Sequence, residues 1–354
     1  MDLEPGDGVI CPAFTCLVIP ETIIKAGAKP VLVDIDPDTF NIDLNAIEES
    51  IDNKTKAILP IHLFGNPAEI GPIMEIAKEN HIYVIEDCAQ ALGAEYNGKL
   101  AGSYGDFSLF SLGHGKNITA GEGGILAINN KSLNKRIYTL YNLLSPPNTE
   151  RAIFNLISEI GYSILSDPAF YNIIQQYIDR RSSKRESIFL RSIMAHNCGS
   201  INNSMNLDYS RMSNIIAALG FAQFECMDYF NTRRIENANY LNRYLRRDGI
   251  SIPYVSKNSK HVFLKYVVKI DEKEYGTSRD GLINKLRSIG IDAEVPYMHI
   301  KDHNLLYRKL YKNKYFPNTE SISDSIISLP IHPCLKEAHL SKIAESLNDP
   351  MEHM

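Results

Sequence analysis

Between residues 9 and 128 one pattern recurs: a short, nearly unbroken aliphatic run, a polar turn, then in most intervals a stretch with helical spacing. The runs fall at 9–12 (VICP), 29–35 (KPVLVDI), 57–62 (AILPIH), 82–87 (IYVIED), 107–112 (FSLFSL) and 125–128 (ILAI). Strands that are apolar on both faces belong in a parallel sheet covered by helices on either side. Helical stretches at 21–27, 43–51 and 70–80 supply the cover, with Asp43 at the N-cap position of the second. Right-handed crossovers join such units. The pattern predicts an α/β protein with a mostly parallel sheet flanked by helices.

In such a sheet the carboxyl ends of neighbouring strands converge on one ligand crevice. The polar residues that close each run are therefore the first candidates for chemistry. The run 82–87 ends in Glu86 and Asp87, and the run 57–62 ends in His62. The run 107–112 is followed by a short loop carrying His114 and Lys116, and a Gly-rich turn at 121–124 precedes the last run. A lysine amine and a carboxylate at adjacent strand ends are what pyridoxal phosphate chemistry requires. The amine bonds to the cofactor's carbonyl, and the carboxylate keeps the pyridine nitrogen protonated. Taken singly, a carboxylate that caps a helix and a solvated lysine are the plainer readings. The combination favours chemistry.

A chain of 354 residues holds one large domain and a smaller one. The net charge of −5, with no basic stripe, argues against nucleic acid as a main partner. No apolar run is long enough to span a bilayer, and no signal peptide precedes the first residues. The six cysteines form no CxxC and sit in apolar contexts, which predicts buried free thiols and a cytoplasmic protein.

Ser145-Pro146-Pro147 breaks the pattern. An insert of about 145–205 follows, with apolar stripes at helical spacing (Ile153, Leu156, Ile157, Ile160 and then Phe170, Ile173, Ile174, Tyr177) that suit a core or a subunit interface. Segments 180–191 and 197–208 read as polar loops. Residues 212–245 read as one long helix or two. The domain change is placed there: 1–245 as the large domain, and 246–354 as a small α+β domain. The small domain is expected to have strands at 262–270 and 292–295 and helices at 279–288 and 336–349. His299 and His303 are four residues apart, but no third ligand is evident, so no metal site is expected.

The ordered motifs EDCAQALGA (86–94), FSLFSLGHGKN (107–117) and GEGG (121–124) resemble the core of the DegT/DnrJ/StrS family of sugar aminotransferases, which have the type I pyridoxal phosphate fold. Upstream GDGVICPAFT, AGAKPVLVDIDPDTFNID and PIHLFGNPAEI, and downstream SRMSNIIAALGFAQFE and SLPIHPCL, extend the resemblance over most of the chain; the insert is its weak part. Several ordered motifs over that length are specific in a way a lone glycine loop is not.

The resemblance implies roles by position. Lys116 would carry the cofactor covalently, and its released amine would move protons. Asp87 would pair with the ring nitrogen, Gln90 would meet the phenolic oxygen, and Ser111 would donate to the phosphate. His62 is either a cofactor neighbour or a packed histidine. His114 would shape the cofactor loop or the substrate mouth, and His299 would lie on the substrate or partner-subunit side. Arg211 and Asn214 would reach the partner subunit's phosphate, or else cap the helix that follows. The implied reaction moves an amino group from an amino acid, glutamate by expectation, to a nucleotide-linked keto sugar for cell-surface polysaccharide or amino-sugar biosynthesis. The implied assembly is a homodimer whose sites use both chains.

Two departures stand against this. Family chains begin several dozen residues earlier, with an edge strand and a Ser-Gly-Thr turn that holds the cofactor phosphate at a helix N-terminus. Cys16 stands where the family places an aromatic residue that stacks on the ring, and it offers far less stacking area. A start assigned too far downstream, a shortened gene, or a piece supplied by a partner chain would each account for the first. The absent strand would lie beside 125–128 and leave a sheet edge open. Two further readings follow: a non-catalytic relative acting as a binding or regulatory protein, and a pyridoxal phosphate-dependent sugar dehydratase. The resembling dehydratases carry histidine at the position of Lys116.

Overall fold

The computed structural model describes residues 3–165, 210–297 and 314–349. Its central element is a six-stranded sheet. Strand β1 (Gly8–Pro12) leads through α1 (Val18–Lys25) to β2 (Lys29–Val33), then through α2 (Leu44–Ser50) to β3 (Thr55–Ile58). Helix α3 (Ile70–Glu79) leads to β4 (Tyr83–Asp87); a small hairpin, β5 (Glu95–Tyr96) and β6 (Lys99–Leu100), precedes β7 (Phe107–Ser111) and β8 (Gly124–Ile128). The strand order is β2-β1-β3-β4-β7-β8. The pairs β1–β2, β1–β3, β3–β4 and β4–β7 are parallel, with Ile10 opposite Val31 and Ile58, and Asp87 opposite Leu109. Strand β8 runs back along β7: Leu112 N–H donates to the Gly123 carbonyl and Asn129 N–H to the Asp106 carbonyl. The sheet is thus the mostly parallel one the sequence predicts, closed on one edge by an antiparallel strand.

The aliphatic runs are strands because both of their faces are covered. Along β1, Val9 and Cys11 enter a core with Phe14, Leu32, Ile35 and Ile326, while Ile10 enters another with Val33, Ile58, Ile70, Ile73 and Val84. Burial on both faces removes the polar alternation of a half-exposed strand. The two aspartates after β2 serve the fold. Asp36 accepts from Thr39 N–H and Oγ1 at 2.7 and 2.8 Å and closes its own turn.

Beyond β8 come α4 (Asn134–Leu143), α5 (Thr149–Leu165), α6 (Asn214–Glu225) and α7 (Met227–Tyr244). Residues 212–245 are two helices, with Ser213 as the N-cap of α6, accepting from Ile216 N–H. The C-terminal part adds β9 (Ile250–Ser251), β10 (Ser259–Lys260), β11 (Tyr266–Ile270), α8 (Glu272–Tyr275), α9 (Arg279–Ser288), α10 (Pro317–Ser325), β12 (Ile326–Leu329) and α11 (Glu337–Asn348). Asp34, just after β2, holds the start of α10 with bonds of 2.9, 2.8 and 2.7 Å from Asn318 N–H, Thr319 N–H and Thr319 Oγ1. An antiparallel sheet of order β12-β11-β9 packs with α7, α9 and α11 around Leu241, Tyr266, Val268, Leu282, Ile327 and Leu340.

Several expectations are corrected. Residues 292–295 form no strand; only Glu294 bridges to Ser328. The strand expected at 262–270 begins at Tyr266, because Val262 N–H and Lys265 N–H are bonded to the Gly65 and Phe64 carbonyls instead. Cys226 and Cys334 are exposed thiols, not buried ones. The expected helix around 170–178, the loops at 180–191 and 197–208, and Cys198 lie outside the described residues. No helix among the described residues is long and apolar enough to cross a membrane.

The chain divides into two compact units. One comprises Met1–Phe110, Leu126–Asn130 and Met227–Met354; the other comprises Ser111–Ile125 and Lys131–Cys226.

Candidate active site

The first unit carries Asp87 at the carboxyl end of β4, where Asp87 N–H donates to the Pro60 carbonyl and the Asp87 carbonyl accepts from His62 N–H. The Asp87 side chain is 7% exposed, and its Oδ1 accepts from Ala89 N–H at 2.9 Å.

The neighbouring Glu86 is fully buried and fully bonded. Its Oε2 accepts from Gly102 N–H at 2.8 Å and meets His62 Nε2 at 3.0 Å; its Oε1 accepts from Tyr104 and Gly105 N–H at 2.8 and 2.6 Å. His62 Nδ1 accepts from Ala68 N–H at 3.0 Å, which places the ring hydrogen on Nε2, facing Glu86. Burial alone would raise the Glu86 carboxyl. The hydrogen bond from His62 and the backbone N–H groups outweigh it and hold the carboxyl below its ordinary value.

Both His62 ring nitrogens are engaged and the residue is fully buried, the arrangement of a packed histidine. The ligand atoms of His62, Glu86 and Cys88 lie within 4.8 Å of one another. Every oxygen of Glu86 already takes two donors, and burial together with the Glu86 and Asp87 charges raises the Cys88 thiol well above its ordinary value, away from the thiolate a metal needs.

Gln90 lies at the start of the segment after β4 and is 9% exposed. Its Oε1 accepts from Phe64 N–H at 3.0 Å, and its Nε2 donates to Tyr297 Oη at 2.5 Å. Cys16 is half-buried in the turn between β1 and α1, and its carbonyl accepts from Ile19 N–H.

The second unit carries Ser111, His114 and Lys116. Ser111 ends β7, and its Oγ accepts from Gly113 N–H at 3.3 Å. The loop that follows is tied at both ends. Leu112 N–H reaches the Gly123 carbonyl, and the Leu112 carbonyl accepts from Ala120 N–H and Thr119 Oγ1. Leu112, Asn117, Ile118 and Ala120 are buried, whereas His114 and Lys116 between them are half-buried. The sequence thus makes a pinned loop that presents one lysine. Arg211 donates its N–H to the Ser145 carbonyl, and its guanidinium lies 6.0 Å from the centroid of the Tyr141 ring. Asn214 is exposed at the first turn of α6; the cap is Ser213, so neither Arg211 nor Asn214 caps that helix. His299 and His303 lie outside the described residues.

Sequence reasoning missed Tyr297 and the bonding role of Glu86. Tyr297 sits in an irregular segment with no periodicity to mark it. Glu86 is masked by Asp87, since a pair of acids at a strand end does not tell which faces the ligand.

The model of the DegT/DnrJ/EryC1/StrS aminotransferase family matches residues 1–165 and 179–348. The chain belongs to this family. It is 30% identical over 359 residues to GDP-perosamine synthase of Caulobacter vibrioides, covering 98% of this chain and 80% of that one. It is 27% identical to a UDP-N-acetyl-3-dehydro-alpha-D-glucosamine 3-aminotransferase of Acidithiobacillus ferrooxidans, covering 97% and 78%. Among solved structures, Helicobacter pylori PseC, an aminotransferase involved in pseudaminic acid biosynthesis, shares the fold with a TM-score of 0.75 at 21% identity, over 98% of this chain and 80% of that one. The DegT/DnrJ/EryC1/StrS enzymes are pyridoxal phosphate-dependent sugar aminotransferases, so the expectations of enzyme class, cofactor and fold hold. Each unit carries groups of the kind the cofactor takes: a buried carboxylate and a carboxamide N–H in the first, a hydroxyl at a strand end and a half-buried lysine in the second.

Proposed function

We propose that this aminotransferase transfers the amino group of glutamate to a nucleotide-linked keto sugar, in the cytoplasm, as a homodimer. The single observation that carries the site assignment is the pinned loop presenting Lys116 five residues after the Ser111 that closes β7. Bound pyridoxal phosphate supplies a carbonyl to take up the amino group and a ring that spreads the charge left when a substrate carbon loses its proton.

The residues do the rest. Lys116 Nζ holds the cofactor between turnovers and, when released, moves a proton at the substrate carbon. The Asp87 carboxylate keeps a proton on the ring nitrogen, and the Gln90 N–H faces the phenolic oxygen. The Ser111 hydroxyl donates to the phosphate, and His114 borders the substrate mouth. Arg211 and Asn214 serve the partner subunit's site, and Cys16 lies beside the ring in place of a stacking aromatic. Glutamate gives up its amino group and becomes 2-oxoglutarate, and the keto sugar exchanges its carbonyl oxygen for that amine. A lysine at 116 favours this over the dehydratase reading.

Two relatives named for GDP-linked and UDP-linked sugars support the substrate class. No residue of helix α4 is buried, and Tyr138, Leu143, Phe154 and Ile157 are exposed, which supports a dimer. Incubation with glutamate and a panel of GDP- and UDP-linked keto sugars should release 2-oxoglutarate and the amino sugar, and sedimentation should give twice the chain mass. Transfer that persists unchanged in Lys116→Ala sinks the assignment.

A further inference from the structure

The Gln90 carboxamide is held at both ends. Phe64 N–H can only donate, so the atom facing it at 3.0 Å is Oε1, and the orientation of the amide follows without ambiguity. Nε2 then spends one hydrogen on Tyr297 Oη. Its second hydrogen has no partner among the described residues, on a side chain only 9% exposed. A buried donor without a partner is costly, which points to a ligand acceptor at that place.

The two groups that aim this hydrogen are themselves fixed. Phe64 is held in the left-handed region at φ 56°, a conformation that costs free energy and persists only when the surroundings impose it. The Tyr297 ring stacks on Phe64 with centroids 5.8 Å apart and meets the Phe14 edge at 5.4 Å. A ring clasped in this way has its hydroxyl in one place.

We propose that Tyr297 is a positioning residue that aims the free Gln90 N–H at the acceptor oxygen of the bound cofactor. The inference rests on the reading of Gln90 as the residue facing the phenolic oxygen. Tyr297 contributes through the amide and not by touching the cofactor.

The test is a double-mutant cycle on the full chain with Tyr297→Phe, Gln90→Ala and the double variant. Pyridoxal phosphate affinity and the pH dependence of the bound cofactor's visible spectrum are read in each. Tyr297→Phe keeps the ring stack, so its cofactor-free melting temperature should match the parent. It should weaken cofactor binding about five-fold, the worth of one neutral hydrogen bond, and shift the spectral titration in the direction of Gln90→Ala. The double variant should be no worse than Gln90→Ala alone. If Gln90→Ala changes both readouts while Tyr297→Phe changes neither, or if the two effects add, the Tyr297 inference is overturned and the Gln90 reading stands. If Gln90→Ala itself changes nothing, the Gln90 reading falls and takes the inference with it.

Discussion

Four donors converge on the Glu86 carboxylate, two on each oxygen. An amide cannot replace it, because its NH2 group meets two donors whichever way it is turned. Glu86→Gln should therefore lower stability by about 3 kcal/mol, the cost of breaking a buried bonded charge, read by denaturant unfolding. The sign with pH follows from the depressed folded value. Burial opposes the charged form, but His62 and the N–H groups prevail, so the unfolded chain takes up the proton near 4.5 and the folded chain only below that. The contribution is present above 4.5 and is lost as pH falls through the folded value. Glu86→Gln should flatten that acid limb, and an unchanged limb would remove Glu86 as its source. The sequence marked both acids but could not divide their work. Residues 86 and 87 point to opposite faces of one strand, and only the 102–105 turn packed on one face shows which carboxylate is structural.

Among elements, the parallel strands were legible because burial on both faces leaves an aliphatic run in the sequence. The hairpin at 95–100 and the helix at Pro317–Ser325 were not. Two-residue strands carry no period, and that helix owes its start to Asp34, nearly three hundred residues earlier in sequence. The turn at Leu63–Gly65 shows how much one connection can hold. Gly65 has φ +95°, and a Cβ there would lie 3.0 Å from the backbone nitrogens of Phe263 and Leu264. Its carbonyl accepts from Val262 N–H, and the preceding Phe64 N–H reaches Gln90. Gly65→Ala should cost about 2 kcal/mol from the left-handed backbone and the close approach together. It should also weaken cofactor binding. Full stability in a thermal melt would show that the turn relaxes freely.

At the scale of the molecule, the class of fold was written in strand and helix alternation, and the family in motifs that keep their order along the chain. The candidate residues were legible for the same reason: strand ends in a parallel sheet are where such a fold places its chemistry. What a sequence leaves open is which side chains are spent on one another. His62 turned out to be occupied by Glu86 and Ala68, whereas Gln90 was found clasped by Phe64 and Tyr297. The central claim is that Lys116 carries the cofactor. The most direct test is to incubate the purified chain with pyridoxal phosphate, reduce it with borohydride, and map the modified peptide by mass. The account predicts a visible absorbance band before reduction and one pyridoxyl group, on Lys116, after it. A pyridoxyl group on another lysine, or none at saturating cofactor, would contradict it.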